Sequence, residues 1–177
     1  MNFSIQQELS NENIIIKPLF KNDFEDLFSQ AADEEVWSQH PNKNRYKRDV
    51  FENFFDGAMQ SQGAFVIIDK ATNEIIGSTR YYDYNAEENS IFIGYTFYGK
   101  KYWGKNYNSQ VKKLMLDYIF QYVDFVNFHV GNENFRSQRA MEKLGAKKLD
   151  EIEVAYFGEE PRTNFLYRIY KKDFLNR

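Results

Sequence analysis

The order of apolar patterns along the chain predicts a mixed α+β fold, a central sheet with helices packed against it. Three observations predict it. Short runs rich in Ile, Val, Phe and Tyr recur between turn signals, as strands do. Four longer stretches carry apolar residues at helical spacing. The middle strands follow one another across turns too short to hold a helix, which makes them an antiparallel meander.

Each element has its own signal. Ile14-Ile15-Ile16-Lys17-Pro18 reads as a first strand, closed by a proline that cannot donate to a ladder. Lys21-Asn22-Asp23 opens a helix to about Ala32, with Phe24, Leu27 and Phe28 on one face. A loop over 36–46 follows. Arg48 to Gln60 is a second helix with Phe51, Phe54, Phe55, Ala58 and Met59 inward, and Gly63 breaks it. The meander occupies 64–69, 74–82 and 89–98, with turns near Ala71-Thr72-Asn73 and from Asp83 to Glu88. A glycine-containing loop over 99–108 leads into a long helix to about Gln121, with Val111, Leu114, Met115, Tyr118 and Ile119 at helical spacing. Residues 126–130 form a short strand. Asn134 caps a helix ending at Leu144, and Gly145 stands where a left-handed cap belongs. Residues 148–156 and 164–170 close the chain as a hairpin.

A length of 177 residues fits one domain over 1–177, long enough to bury about 70% of its unfolded surface. Apolar residues at 42% and charged residues at 28% exclude wholesale disorder. With no cysteine, a disulfide framework, a thiolate nucleophile and a Cys-ligated zinc are excluded. The two histidines, His40 and His129, are too few and too far apart for a His-rich metal site, so no metal is expected. No apolar run approaches the roughly 18 residues of a membrane span. The first residues lack the basic and apolar regions of a signal peptide, so a cytoplasmic protein is the expectation.

Charge is unevenly distributed. Residues 1–90 carry 8 Lys/Arg and 16 Asp/Glu, a net of −8; residues 91–177 carry 15 and 10, a net of +5. The basic half suits an anionic partner, and complementary surfaces of one domain suit it equally. The whole is too acidic, and its basic residues too dispersed, for a nucleic-acid partner. The basic cluster Asn42-Lys43-Asn44-Arg45-Tyr46-Lys47-Arg48 reads as a solvated helix entry.

The loop Lys100-Lys101-Tyr102-Trp103-Gly104-Lys105-Asn106 runs straight into a helix. Helix N-termini present unpaired N–H groups and partial positive charge, and a glycine lets a phosphate approach them. The spacing is neither a Walker A loop nor GxGxxG.

Lys101-Tyr102-Trp103-Gly104-Lys105-Asn106 resembles motif A of the GNAT acyltransferases, Arg/Gln-x-x-Gly-x-Gly/Ala. Asn134-Phe135-Arg136-Ser137-Gln138-Arg139-Ala140-Met141-Glu142-Lys143-Leu144-Gly145-Ala146 resembles that family's motif B, Asn-x-x-Ser-x-x-(small)-x-x-x-Leu-Gly-(Ala/Phe). Ile75-Ile76-Gly77 and Ile93-Gly94-Tyr95 resemble its third and fourth strands. The resemblance spans about 14–170 and looks closest to the RimJ/RimL-like branch, the N-acetyltransferases of ribosomal-protein alanines. It departs at Asn106, where the family has Gly or Ala, and at Phe92, where the branch often has Glu.

The resemblance implies the GNAT acyl-CoA N-acyltransferase fold, a mixed sheet of about six to seven strands flanked by about four helices. It implies acetyl-CoA as co-substrate, no metal, and direct attack of a primary amine, on a peptide N-terminus or a small molecule, in a ternary complex. The family's fourth and fifth strands splay apart to take the pantetheine arm, which puts Phe97 and Tyr98 beside it. The pyrophosphate site maps to Lys101, Gly104, Lys105, Asn106, Tyr107 and Asn108, with Asn134 shaping the next loop. Ser137 maps to the group that protonates the leaving thiolate, with Asn134 beside it. Each also has an ordinary helix N-terminal role.

His40 and Tyr82 are expected on the acceptor side, as are Tyr81, Asp83 and Glu87, although core or turn positions would also account for them. On its strand His129 alternates with Phe128 and Val130, and if those two are core it faces away from the chemistry. A CoA-binding module without turnover, and an RNA-associated protein using residues 42–48, remain as alternatives. A homodimer stays open.

Overall fold

The computed structural model describes residues 3–176. Among these are eight strands and six helices, more than the resemblance implied. In chain order they are β1 Leu9–Ser10, β2 Ile14–Pro18, α1 Phe24–Ala31, α2 Glu34–Trp37, α3 Arg48–Ser61, β3 Ala64–Asp69, β4 Glu74–Asn85 and β5 Ser90–Tyr98. After these come α4 Tyr107–Ile119, β6 Phe125–Gly131, α5 Phe135–Leu144, β7 Lys147–Val154, β8 Arg162–Tyr170 and α6 Lys171–Leu175. The elements that pattern reading missed are short. β1 has two residues and α2 and α6 have four and five, too few for a period to show. The opening of the first helix, Lys21–Asp23, is a 3₁₀ turn.

The strands form one sheet in the order β1-β2-β3-β4-β5-β6-β8-β7. β1 to β5 run antiparallel in sequence order, and β6, β8 and β7 are antiparallel to one another. The expected meander and closing hairpin are both present. β5 and β6 are parallel and pair only at Ser90–Phe125, Ile91–Val126 and Phe92–Asn127. Beyond those pairs the two strands separate, and the sheet opens into a V.

Two apolar layers cover the sheet. On one face Val111, Met115, Leu116 and Ile119 of α4 pack on Ile16, Ile67, Ile76, Ile91 and Ile93. On the other, α1, α2 and α3 bring Leu27, Trp37, Phe51, Phe54 and Phe55 onto Val66, Ile68 and Phe97. The β-strand alternation of inward residues thus serves both faces, as a sheet covered on each side requires. α5 ends on Gly145 at φ 73°, with Ala146 N–H bonded to Met141 O at 3.0 Å and Gly145 N–H to Glu142 O at 2.9 Å. This left-handed cap turns the chain at once into β7.

Candidate functional site

The V between β5 and β6 is the mouth of a cleft of about 940 Å³. That lies at the upper end of the roughly 300–1,000 Å³ range of small-molecule pockets. β5 gives up its regular register there. Tyr95 has φ 53°, and pairing with β4 shifts between Ser78 and Arg80. A bulky residue in this conformation is strained and needs outside support. The Tyr95 ring has it: Tyr82 and Tyr156 meet it edge-on at 5.0 and 5.4 Å, and the Arg80 guanidinium lies 3.8 Å from its centre. Arg80 is itself buried, donates to Gly57 O at 3.1 Å, and leaves Nε without a partner. Burial lowers its pKa to about 10.

One end of the cleft is the N-terminus of α4. Trp103 anchors the preceding loop by donating Nε1–H to Tyr98 O at 3.0 Å. Gly104 has φ 74° and Asn106 φ 62°, so the loop is left-handed at both positions. Asn is among the few side-chain-bearing residues that adopt this conformation readily, which is why Asn106 is accommodated. The first helix-closing bond is Gln110 N–H to Asn106 O at 3.4 Å. The N–H groups from Asn106 to Ser109 therefore have no partner inside the helix. No atom lies within 4 Å of the position a Gly104 Cβ would take, so the loop surface is open. Arg136, Arg139 and Lys143 of α5 join the lining. Open backbone, free N–H groups and cations fit a phosphate-bearing ligand.

The opposite wall is the start of α5. Asn134 Oδ1 accepts the Ser137 N–H at 3.0 Å, so Asn134 is the N-cap, and Ser137 Oγ has no hydrogen bond among the described residues. Arg136 N–H donates to Gln39 Oε1 at 3.1 Å, and its guanidinium lies 4.0 Å from the Trp103 ring centre. These contacts tie the cleft wall to the segment after α2 and to the loop before α4.

At the far end the cleft meets His40, Arg45, Tyr95, His129 and Tyr156. Burial, then Arg45 and Arg136, lowers the His40 pKa to about 3. Burial lowers His129 to about 4. Its Nδ1 is 3.2 Å from Tyr82 Oη, and Phe92 lies against its ring at 4.5 Å. Both imidazoles are therefore in the neutral form near pH 7.

Several expected positions fall elsewhere. Lys101 and Lys105 are not in the lining: Lys101 Nζ pairs with Glu74 at 3.0 Å, and Lys105 lies 5.6 Å from the Tyr102 ring centre. Phe97 lends only its backbone, because its ring is buried beside Trp37 at 4.8 Å. Tyr82 reaches the cleft through His129. Tyr81 is core, its hydroxyl bonded to Met115 O at 2.6 Å. Glu87 is an exposed turn residue. His129 is in the lining although Phe128 and Val130 are buried, because strand separation exposes β6 edge-on. In the 42–48 cluster Lys43, Lys47 and Arg48 are exposed, as a solvated helix entry has them, and Arg45 is the exception, buried against Glu159. Gly104, Asn106, Tyr107, Asn108, Tyr98, Asn134, Ser137 and His40 do meet around one cavity.

Arg45, Tyr156 and Lys112 are lining residues that sequence reading did not single out. Lys112 carried a legible signal, a lysine at helical spacing among inward positions of α4. No group of three or more metal-ligating side chains occurs among the described residues. None of their helices is long and apolar enough to cross a membrane.

Comparison with known proteins bears on this arrangement. Residues 13–147 match the family described as Acetyltransferase (GNAT) domain. The uncharacterized N-acetyltransferase p20 of Bacillus licheniformis is 29% identical over 104 residues, which cover 57% of this chain and 58% of that relative's length. A GCN5-related N-acetyltransferase from Brucella melitensis superposes with a TM-score of 0.83 at 18% identity, over 96% of this chain and 81% of that one. The spermidine N-acetyltransferase of Vibrio cholerae, solved with CoA and spermine, superposes at 0.71 with 17% identity, over 94% of this chain and all of that one. At these identities the superpositions show the fold.

Proposed function

Because the chain belongs to the GNAT acetyltransferase family, we propose that it transfers an acetyl group from acetyl-CoA to a primary amine by direct attack. The observation that carries this reading is the parting of β5 from β6 beyond Phe92 and Asn127, with the free N-terminus of α4 at the head of the gap. Acetyl-CoA supplies the activated thioester. The N–H groups of Asn106 to Asn108, with open backbone at Gly104, hold its pyrophosphate. The free edge of β5 from Ile93 to Tyr98 offers main-chain donors and acceptors to an extended arm, as an unpaired strand edge does. A β5 N–H polarises the acyl carbonyl. Ser137, whose hydroxyl is unspent, relays a proton to the leaving sulfur and takes back the one that the attacking amine loses.

With pKa values lowered to about 3 and about 4, His40 and His129 are weak bases, so the acceptor enters as the free amine and the proton it loses on acylation returns through water to Ser137. The acceptor end is lined by Tyr95, Tyr156 and Arg45, which Glu159 holds from behind, a site of the RimJ/RimL-like kind. It suits a peptide N-terminus, and a small amine is the other substrate class. The reading takes 1–177 as one acting domain in the cytoplasm.

The test is calorimetric titration with acetyl-CoA and dephospho-CoA, followed by thiol release with N-terminal peptides and polyamines. Micromolar binding with amine-dependent thiol release is expected. Absence of binding up to millimolar overturns the reading. Binding without release to any amine favours a CoA-holding module instead.

A further inference from the structure

A buried cation in the cleft is left over by this account. Lys112 lies on the face of α4 that packs on the sheet and is 4% exposed. Its Nζ donates to Thr96 Oγ1 at 2.7 Å and Thr79 Oγ1 at 3.4 Å. The two hydroxyls are 2.9 Å apart, and Thr96 Oγ1 is also 3.3 Å from Gly94 O. No carboxylate pairs with Lys112 among the described residues. A buried ammonium without a counter-charge is costly and is ordinarily replaced by an apolar residue or paired.

Two further facts place it. Lys112 is part of the cleft wall. Thr96, its nearer partner, follows the strained Tyr95 on the stretch of β5 that has no β6 neighbour. An ammonium has three donors, and the threonines take two. The third has no acceptor among the described residues, and the cleft is where an acceptor can come from. Thr79 and Thr96 fix the amine in place, so little side-chain freedom is lost when one arrives.

Resting on the proposed acyl-CoA reading, we propose that Lys112 is a ligand-binding residue, donating its third hydrogen to a carbonyl oxygen of the acyl-pantetheine arm laid along β5. The assignment explains why a lysine occupies an inward position of α4. A carbonyl acceptor stabilises the charged form of the amine. Lys112 has a pKa lowered to about 7 by burial alone, so binding at slightly alkaline pH draws a proton onto it.

The groups facing it, Thr79 from β4, Thr96 from β5 and Met115 from α4, do not titrate in this range. Of the ionisable cleft groups, His40 and His129 titrate far below it, and Tyr95, Tyr98 and Tyr156 are raised by burial. Arg45, Arg136, Arg139 and Lys143 are the other cations of the cleft wall.

The experiment is calorimetric titration of the full chain with acetyl-CoA at pH 7.5, in buffers of different ionisation enthalpy. The wild type is expected to bind with net proton uptake. Lys112→Met is expected to bind about tenfold or more weakly, the size of a lost charged hydrogen bond, with the Lys112 part of the uptake gone. Proton changes on the ligand's own phosphates are common to both proteins and cancel. Lys112→Met is also expected to melt higher, since folding then no longer has to strip the proton from a buried amine, so the weakening is not unfolding. Lys112→Gln, which keeps a donor but not the charge, is expected to retain part of the affinity and none of the uptake. Wild-type affinity and uptake in both variants would overturn the assignment and leave the acyl-CoA reading standing. No binding by the wild type would overturn that reading itself.

Discussion

Arg45 and Glu159, 114 residues apart, form a two-armed ion pair in which Nε and Nη2 each lie 2.8 Å from a carboxylate oxygen. Their side chains are 4% and 8% exposed. The guanidinium also lies 4.9 Å from the Phe54 ring centre and 5.6 Å from those of Trp37 and Tyr156. The pair joins the segment before α3 to the β7–β8 loop, and Asn53 reinforces it by donating to Phe157 O at 2.8 Å. The link holds Arg45 in the cleft wall, at the end where the acceptor is proposed to enter.

Removing one partner strands a buried charge. Glu159→Ala is expected to cost about 3 kcal/mol of stability, and Arg45→Met with Glu159→Met together much less. Urea denaturation of the three variants checks it. A double variant as unstable as Glu159→Ala would show that the loop contacts, rather than the charges, hold this end together.

The histidines make stability sensitive to acid. Both have folded pKa values below the ordinary 6.5, at about 3 and about 4. The unfolded chain therefore binds protons that the folded chain refuses as pH falls below about 6.5. Stability is expected to be full above that pH and to decline toward pH 4. Each histidine contributes up to about 1.4 kcal/mol per pH unit. His40→Gln and His129→Gln are expected to flatten the denaturation midpoint between pH 6.5 and 4.5. An unchanged slope in both would refute the assignment.

The left-handed loop residues separate backbone from side chain. Asn106→Gly is expected to preserve stability and to bind acetyl-CoA at least as tightly, because glycine adopts φ 62° without a Cβ. Asn106→Val is expected to lose about 1–2 kcal/mol and most of the binding, as a β-branched residue is poorest in this region. Gly104→Ala meets no neighbouring atom, so its cost is conformational, about 1 kcal/mol. Thermal melts and titration together read each effect.

Asn134 and Ser137 are expected to part ways. Asn134→Ala removes the cap of α5 and is expected to cost about 1 kcal/mol. Ser137→Ala leaves that bond intact, since it uses the Ser137 main-chain N–H, and is expected to lower turnover at unchanged melting temperature and acetyl-CoA affinity. A Ser137→Ala protein with wild-type turnover would remove Ser137 from the proton path.

The sequence was sufficient for whatever depends on near neighbours. Apolar patterning located most of the long elements, because a buried face or stripe repeats at a spacing fixed by local geometry, whereas β7, exposed along most of its length, was placed by the turn that joins it to β8. The Asn134 cap and the Gly145 stop were legible because capping is settled within a few residues. The candidate phosphate loop was legible for the same reason, a glycine and a helix start a few positions apart.

Tertiary structure decided the rest. That β5 and β6 pair for three residues and then part is a relation between strands separated by a whole helix, and no local pattern encodes it. It decided that His129 lines the cleft. The pairing of Arg45 with Glu159 turned a residue that read as a surface cation into a structural tie. Lys112 shows the limit most plainly. Its inward spacing is written in α4, but the absence of a counter-charge is a property of everything packed around it. Where a charge sits along the chain is a sequence fact, whereas its solvation and its partners exist only once distant segments have closed over it.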